Sequence, residues 1–474
     1  MASALQAKLA LSRAVGSLSR LQGGGATSAP GRLLLRLEPD AISALGSRLP
    51  NGSALISATN GKTTTATMAA SVLARAGLKL VNNQAGANLA GGIATSLLDA
   101  AAGREGIDGE LGLFEVDELW LARVAAQLQP RVIALCNLFR DQLDRYGELD
   151  RIAASWQEVV DARPARLVLN ADDPLLADLG REHPDAIYFG VDDDTLALPG
   201  MAHAADAKHC RRCGAPYSFD AIYLGHLGHY HCESCGQRRP IPSASARAVS
   251  LEGVRSSSFT LVTPAGEARV TLQLPGLYNV YNALAAASLA LALEVPFESI
   301  VQGLGEARAA FGRGERVLLS PTPPSNGTGA PGIGALPREL RILLIKNPAG
   351  TNEILRTLAL EPGEHDLLAV LNDNIADGRD VSWIWDADFE LLAERVRMVT
   401  CSGTRAADLA LRLKYAGVDP GRVRLVRDLP RALEQAAADR PDADAPLYAL
   451  PTYTAMLALR ELLVRRGEAP SAWS

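Results

Sequence analysis

The chain has 474 residues, of which 21% are charged, and carries a net charge of −6. That length leaves room for two or three domains, and the negative balance offers no basic footprint for nucleic acid. No apolar run approaches the roughly 20 residues that a membrane-spanning helix needs.

In chain order, the first element expected is a basic helical segment over residues 1–50. The first 37 residues contain no acid, one lysine (Lys8) and several arginines. Leu11, Val15 and Leu18 recur at helical spacing, as do Leu5 and Leu9. A plain amphipathic helix packed on the domain, a membrane-surface helix and a transit peptide all fit this composition. A secretory signal does not, because there is no long apolar stretch.

Residues 51–316 read as an α/β nucleotide-binding domain. A strand-like run, Ser53–Ser57, meets Ala58-Thr59-Asn60-Gly61-Lys62-Thr63-Thr64-Thr65, and an alanine-rich helical run follows over Thr67–Ala76. This is the layout of a phosphate loop: strand, tight turn, helix N-terminus, with backbone N–H groups and the helix dipole facing an anion. Lys62 adds a positive charge for the outer phosphates, and the Thr63 hydroxyl suits Mg²⁺. The strict phosphate-loop spacing wants a glycine where Ile56 stands. Apolar runs at Leu111–Val116, Arg131–Leu138 and Arg166–Asn170 read as strands of a buried parallel sheet. The first of them ends in Glu115, Asp117 and Glu118, at the sheet edge where ligands bind, which makes Glu115 a candidate Mg²⁺ partner opposite Thr63.

Inside this domain, at about 205–240, lie Cys210-x-x-Cys213-Gly and Cys232-x-x-Cys235-Gly, with 18 residues between the pairs. This is the spacing of a four-cysteine zinc ribbon, and four thiolates close the shell, so the zinc is structural. Tyr223, His226, His229, Tyr230 and His231 between the pairs suit a small hairpin. Cys136 and Cys401 fall in apolar runs and read as core residues. Further along, Asn279 and Asn282 sit one turn apart at a helix start, where amides read an adenine edge or cap the helix. Arg313, between glycines, suits a phosphate or ribose.

Residues 317–338 are a Pro/Gly-rich loop. Alternation then resumes over 339–474, a second α/β domain. Strands are expected at Leu340–Ile345, Leu367–Leu371, Val396–Cys401 and Arg422–Val426, and helices at Leu355–Leu360, Ala406–Ala416 and Leu429–Ala438.

Together these residues resemble the Mur ligase family. Thr59-Asn60-Gly61-Lys62-Thr63-Thr64 looks like its ATP loop and Glu115 like its Mg²⁺ acid. Asn279-x-x-Asn282-Ala looks like its nucleotide-binding helix start, and Phe311-Gly-Arg313 like its ribose-side arginine. Ordinary members carry no four-cysteine ribbon and have a longer N-terminal domain for a UDP-sugar. The ribbon, the stretch Lys346–Glu353 and the stretch Asn372–Asp386 resemble one branch of the family, the synthase subunits of lipid II isoglutaminyl synthases, over essentially residues 1–470.

That resemblance implies a fold with a Mur-ligase-like central domain, its parallel sheet carrying an inserted zinc ribbon. It implies ATP, Mg²⁺ and structural Zn²⁺ as cofactors. It implies an ATP-dependent amidation of the D-glutamate α-carboxyl in the lipid II stem peptide through an acyl phosphate. With four cysteines assigned to metal and two to the core, the chain offers no nucleophile for glutamine hydrolysis. Ammonia is therefore expected from a partner, and the resemblance implies that this is a GatD-type glutamine amidotransferase subunit. The resemblance further implies that an aspartate of the C-terminal domain orients the partner's catalytic histidine; Asp377 is the first candidate and Asp380 the second, with turn capping as the alternative for either. A cytoplasmic location is implied, with contact at the inner membrane face where lipid II lies. A stand-alone amino-acid ligase and a zinc-ribbon interaction module on a degenerate ATPase are the competing readings.

Overall fold

The computed structural model describes residues 2–21, 27–83, 86–103, 105–141, 149–162, 166–201, 205–308, 313–320, 337–441 and 444–470. Its helices used below are α1 (Ala2–Leu21), α2 (Ala29–Leu37), α3 (Lys62–Arg75), α4 (Ala90–Ala100), α5 (Leu277–Ala292), α6 (Pro348–Ala359) and α7 (Tyr453–Arg465).

Strands β1 (Ser53–Ser57), β2 (Leu80–Asn82), β3 (Leu111–Glu115), β4 (Val132–Leu135), β5 (Arg166–Asn170) and β6 (Ala186–Val191) enter one sheet. β7 (Ser218–Leu224) and β8 (Leu227–His231) form a separate hairpin. β9 (Ala244–Glu252), β10 (Ser256–Thr263) and β11 (Gly266–Leu272) return to the first sheet, whose order is β11-β10-β9-β6-β5-β4-β1-β3-β2. From β2 to β9 all neighbours are parallel. β1, β3 and β4 are buried at every residue, as continuous apolar runs require when helices cover both faces. Period-2 alternation divides their side chains between two cores. Leu55, Phe114 and Ile133 join the N-terminal helices, while Ile56, Leu113 and Ala134 join α3 and α5.

The last two strands depart from the parallel sheet expected. β10 and β11 are antiparallel, because β10 alternates buried and half-buried residues, with Phe259 and Leu261 facing in, and so needs cover on one face only. α1 lies on α2, and α2 lies on α4. A Cβ at Gly31 would stand 1.9 Å from the Gly91 carbonyl oxygen, so glycine permits that close crossing. Leu9 is buried beneath α1, whereas Leu11 and Leu18, 54% and 58% exposed, face solvent. Among the described residues no helix is long and apolar enough to cross a membrane.

The second sheet contains β12 (Arg313–Leu319), β13 (Arg338–Leu343), β14 (His365–Val370), β15 (Val396–Ser402), β16 (Val423–Leu425) and β17 (Leu447–Pro451), in the order β12-β13-β17-β14-β15-β16. β12 crosses the boundary expected at residue 316 and pairs antiparallel with β13. The remaining neighbours are parallel. Of the Pro/Gly-rich loop, residues 321–336 lie outside the described residues.

Candidate functional site

The turn between β1 and α3 is built around Gly61. Its φ is +81°, a left-handed conformation that costs an L side chain energy. A Cβ there would lie 2.1 Å from Asn282 Oδ1. Where the strict phosphate loop uses an extra glycine, this one is tied down by side chains. Thr59 Oγ1 accepts from Phe139 N at 3.0 Å, and Asn60 N donates to Asn137 Oδ1 at 2.8 Å. Asn137 Nδ2 donates back to the Asn60 carbonyl at 2.9 Å.

Lys62 opens α3 and is buried. Its ammonium donates to the Ala58 carbonyl and pairs with Glu118 at 2.9 Å. Burial alone would lower its pKa, but Glu118, Glu115 and Asp117 outweigh that and hold the group above its ordinary value. Thr63 Oγ1 is buried with no hydrogen-bond partner. An orphaned hydroxyl beside a carboxylate-rich wall fits a hard cation whose ligands are oxygens.

A cavity of about 730 Å³ opens over this loop, and Thr59 to Thr64 all line it. Glu115, Asp117 and Glu118 line one side, at the C-terminal end of β3. Asn83 bonds both the Glu115 N–H and its carbonyl, at 2.9 and 2.8 Å, fixing that strand end. Asn279 and Asn282 line it as well. Asn282 Nδ2 donates to Asn279 Oδ1 at 3.1 Å, and Asn279 Nδ2 donates to the Pro275 carbonyl at 2.7 Å. The pair therefore organises the start of α5 as well as facing the cavity.

The second domain closes the top. Lys346 Nζ donates to the Thr59 carbonyl at 2.8 Å and pairs with Asp141 at 2.7 Å. The amides of Asn347 and Asn60 bond each other reciprocally, at 3.0 and 3.3 Å. Glu353 on α6 also lines the cavity; burial raises its carboxyl pKa, opposed by Arg356. Asp377 is buried, and Thr454 at the start of α7 donates to it through both its N–H, at 2.7 Å, and its hydroxyl. Asp380 is exposed and accepts from Ser382 N at 2.8 Å. Ala376 lines the cavity, so the Asn372–Asp386 segment reaches it. Arg313 begins β12, but its side chain, like Phe311, lies outside the described residues.

The four ribbon cysteines converge, with all Sγ atoms within 4.8 Å of one another. Cys210–Cys235 and Cys213–Cys232 are separated by 3.6 and 3.5 Å. Tetrahedral zinc at a Zn–S distance of about 2.3 Å would set these near 3.8 Å. Each pair sits in the same turn: Gly214 N donates to the Cys210 carbonyl and Gly236 N to the Cys232 carbonyl, with both glycines at positive φ. Four free thiols in two matched turns fit a closed metal shell. Cys136 and Cys401 are buried elsewhere, and burial pushes both thiols up to about 12, which leaves them unreactive.

Sequence reasoning gave no individual role to Asn137, Lys346, Asn347, Leu224 or Leu227. One signal was available: the chain has only six lysines, and two of them, Lys62 and Lys346, line this cavity.

Comparison with known proteins agrees with this geometry. The family model for the Mur ligase middle domain matches residues 56–214, and that for the MurT ligase C-terminal domain matches 344–456. The MurT subunit of a lipid II isoglutaminyl synthase (glutamine-hydrolyzing) from Streptococcus pneumoniae is 32% identical, over 95% of this chain and 94% of its own length. The corresponding subunit from Staphylococcus aureus is 30% identical over 95% of each chain. Among solved structures, a pseudomurein peptide ligase type C from Methanothermus fervidus superposes with a TM-score of 0.65 at 23% identity, covering 89% of this chain and 80% of its own. MurF from Acinetobacter baumannii gives 0.62 at 19% identity, covering 93% and 80%; these two speak for the fold alone. Near-full-length identity to the curated subunits, with both family models matched, establishes that the chain belongs to the MurT family of Mur-ligase-like proteins.

Proposed function

We propose that this chain is the ATP-dependent synthase subunit that amidates the D-glutamate α-carboxyl of the lipid II stem peptide during peptidoglycan synthesis. The observation that carries the reading is the loop at Thr59–Thr64, with Lys62 buried among carboxylates and the orphaned Thr63 hydroxyl facing a cavity shared by two domains. The curated relatives named as lipid II isoglutaminyl synthase subunits support the substrate class.

In this reading Thr63 and Glu115 hold Mg²⁺, which when bound neutralises charge on the transferring phosphoryl group. Backbone N–H groups at the start of α3 cradle the phosphates, and Lys62 reaches the outer ones. Asn279 and Asn282, which line the cavity, face the nucleoside, and Arg313 is the candidate for the ribose. A D-glutamate carboxylate oxygen attacks the γ-phosphorus, and the bond to the β,γ-bridging oxygen breaks, releasing ADP. Ammonia then attacks the acyl carbon, inorganic phosphate leaves, and the nitrogen loses a proton to give the amide. The two domains exclude water that would otherwise hydrolyse the acyl phosphate.

Ammonia comes from a GatD-type glutamine amidotransferase subunit. Asp377, or Asp380 in second place, orients that partner's histidine. Thr454 occupies one lone pair on each Asp377 oxygen; a carboxylate has about four acceptor sites, so about two stay open, enough to accept from an imidazole. The four ribbon cysteines hold structural zinc. The deciding experiment reconstitutes chain and glutaminase with lipid II, glutamine and Mg·ATP. Lys62→Ala abolishes amidation, and unchanged amidation by that variant would sink the proposal.

A further inference from the structure

The cysteine ribbon is more than an appendage on the first sheet. Its hairpin, β7 and β8, runs from the cysteine knot toward the cavity, and the residues flanking its tip, Leu224 and Leu227, line the cavity together with Lys62 and Asn282. We propose that this tip is a wall of the nucleotide site: Leu224 and Leu227 pack against the purine nucleoside of ATP, and the cysteine knot sets where they stand. The inference rests on the ATP reading above and adds to it the surface that receives the base.

Three observations support it. First, the tip is wedged in place. His226 is fully buried, its ring 4.7 Å from that of Phe139 and its Nε2 3.5 Å from Asp173. Gly225 has a φ of +60°, and a Cβ there would stand 2.9 Å from Phe139, so the tip approaches as closely as glycine allows. Gly228 N donates to the Asp172 carbonyl at 2.9 Å.

Second, the wedge bears on the phosphate loop. Phe139 exchanges hydrogen bonds with Thr59 Oγ1 at 3.0 and 3.2 Å. Displacing the tip therefore disturbs Phe139, and through it the loop.

Third, the surface has the chemistry of a base site rather than a phosphate site. Leu224 and Leu227 share one apolar cluster with Leu274, Leu277 and Tyr281. Tyr281 and Leu274 flank the amides of Asn279 and Asn282 along the cavity wall. Apolar walls with a few placed amides suit a purine, which offers flat faces and polar edges. On the knot side, Arg239, four residues past Cys235, pairs with Asp172 and with Asp192 at 3.0 Å, anchoring the ribbon to the ends of β5 and β6.

The test is calorimetric titration of the full-length chain with Mg·ATP and, separately, with Mg·tripolyphosphate, which has the charge but no nucleoside. Leu227→Ala should weaken Mg·ATP about tenfold, equivalent to about 1.4 kcal/mol, and leave Mg·tripolyphosphate within threefold of the unmodified chain. Leu227→Met, which conserves volume, should keep Mg·ATP within threefold. Equal weakening of both ligands by Leu227→Ala would mean that the tip only supports the fold, and unchanged Mg·ATP affinity would mean that it touches nothing; either overturns the proposal. If Leu227→Ala does not fold, Leu224→Val carries the same comparison. An unmodified chain that binds neither ligand would fail the ATP reading itself, a result distinct from either of those.

Discussion

Replacing Gly61 with alanine separates the cost of the loop's shape from the cost of its charge. At φ +81° an alanine pays about 1–2 kcal/mol for the left-handed conformation. Its Cβ would also enter the space of Asn282 Oδ1, 2.1 Å away, and push that amide off Thr65 Oγ1, at 3.2 Å. The lost bond adds about 1 kcal/mol, for a total of about 2–3 kcal/mol. If the loop keeps its shape, the cost appears as lowered stability to urea. If it relaxes, the cost appears in nucleotide binding, as a 30- to 150-fold rise in the Kd for Mg·ATP, each factor of ten being about 1.4 kcal/mol. Calorimetric titration and a urea curve on the same protein together capture the whole amount. A Kd within threefold of the unmodified chain combined with an unchanged urea midpoint would refute the reasoning, because Gly61 would then be an ordinary turn residue.

Asp377→Asn should lower glutamine hydrolysis by the reconstituted complex at least tenfold while sparing Mg·ATP binding; intact hydrolysis would remove Asp377 from the partner's active site. Metal analysis of unoxidised protein should find about one zinc per chain, and Cys232→Ser should lose it, whereas a metal-free preparation of the unmodified chain would defeat the zinc assignment. His365 lies buried in the C-terminal domain with Nε2 3.0 Å from the Leu358 carbonyl, and burial holds its pKa below the ordinary value, outweighing that bond. A depressed pKa means that the unfolded chain takes up the proton more readily. The stability involved is therefore present above about pH 6.5 and lost as pH falls through the folded pKa. His365→Gln should flatten the decline of the thermal midpoint between about pH 6.5 and 5, and an equally steep decline would exclude His365 as its source.

The strands of the first sheet and the loop that follows β1 were legible because their signals are local. Continuous apolar runs ending in Glu115 or Asn170 admit few readings, and Gly-Lys-Thr at a strand end admits fewer. The cysteine pairs were legible for the same reason, since two short motifs at one spacing demand one geometry. The hairpin strands β10 and β11 were missed because their alternation is diluted by serine and threonine. α7 and β17 were missed because Leu447–Pro451 is short and Tyr453–Arg465 mixes apolar and charged residues. The closure of the cavity was not legible at all. Lys346 and Asn347 meet Thr59 and Asn60 across 287 positions of chain, and no window of sequence contains both sides. His226 shows the same limit: its burial against Phe139 depends on a tertiary fit that its neighbours in sequence do not announce.

The polar closure also has a kinetic meaning. Lys346 and the two asparagines hold the second domain to the phosphate loop through three hydrogen bonds. Lys346 also pairs with Asp141 at 2.7 Å, and Val254 N donates to Glu361 at 2.8 Å, so this latch is one part of a wider contact between the domains. In the amidation proposed above, such a closure would keep water from the acyl phosphate, and hinge opening on the microsecond-to-millisecond scale would let ADP out. Because one bond is made to the Thr59 carbonyl itself, the gate and the phosphate cradle share an atom, and turnover would then be paced by the opening of a door hung on the loop that holds the fuel.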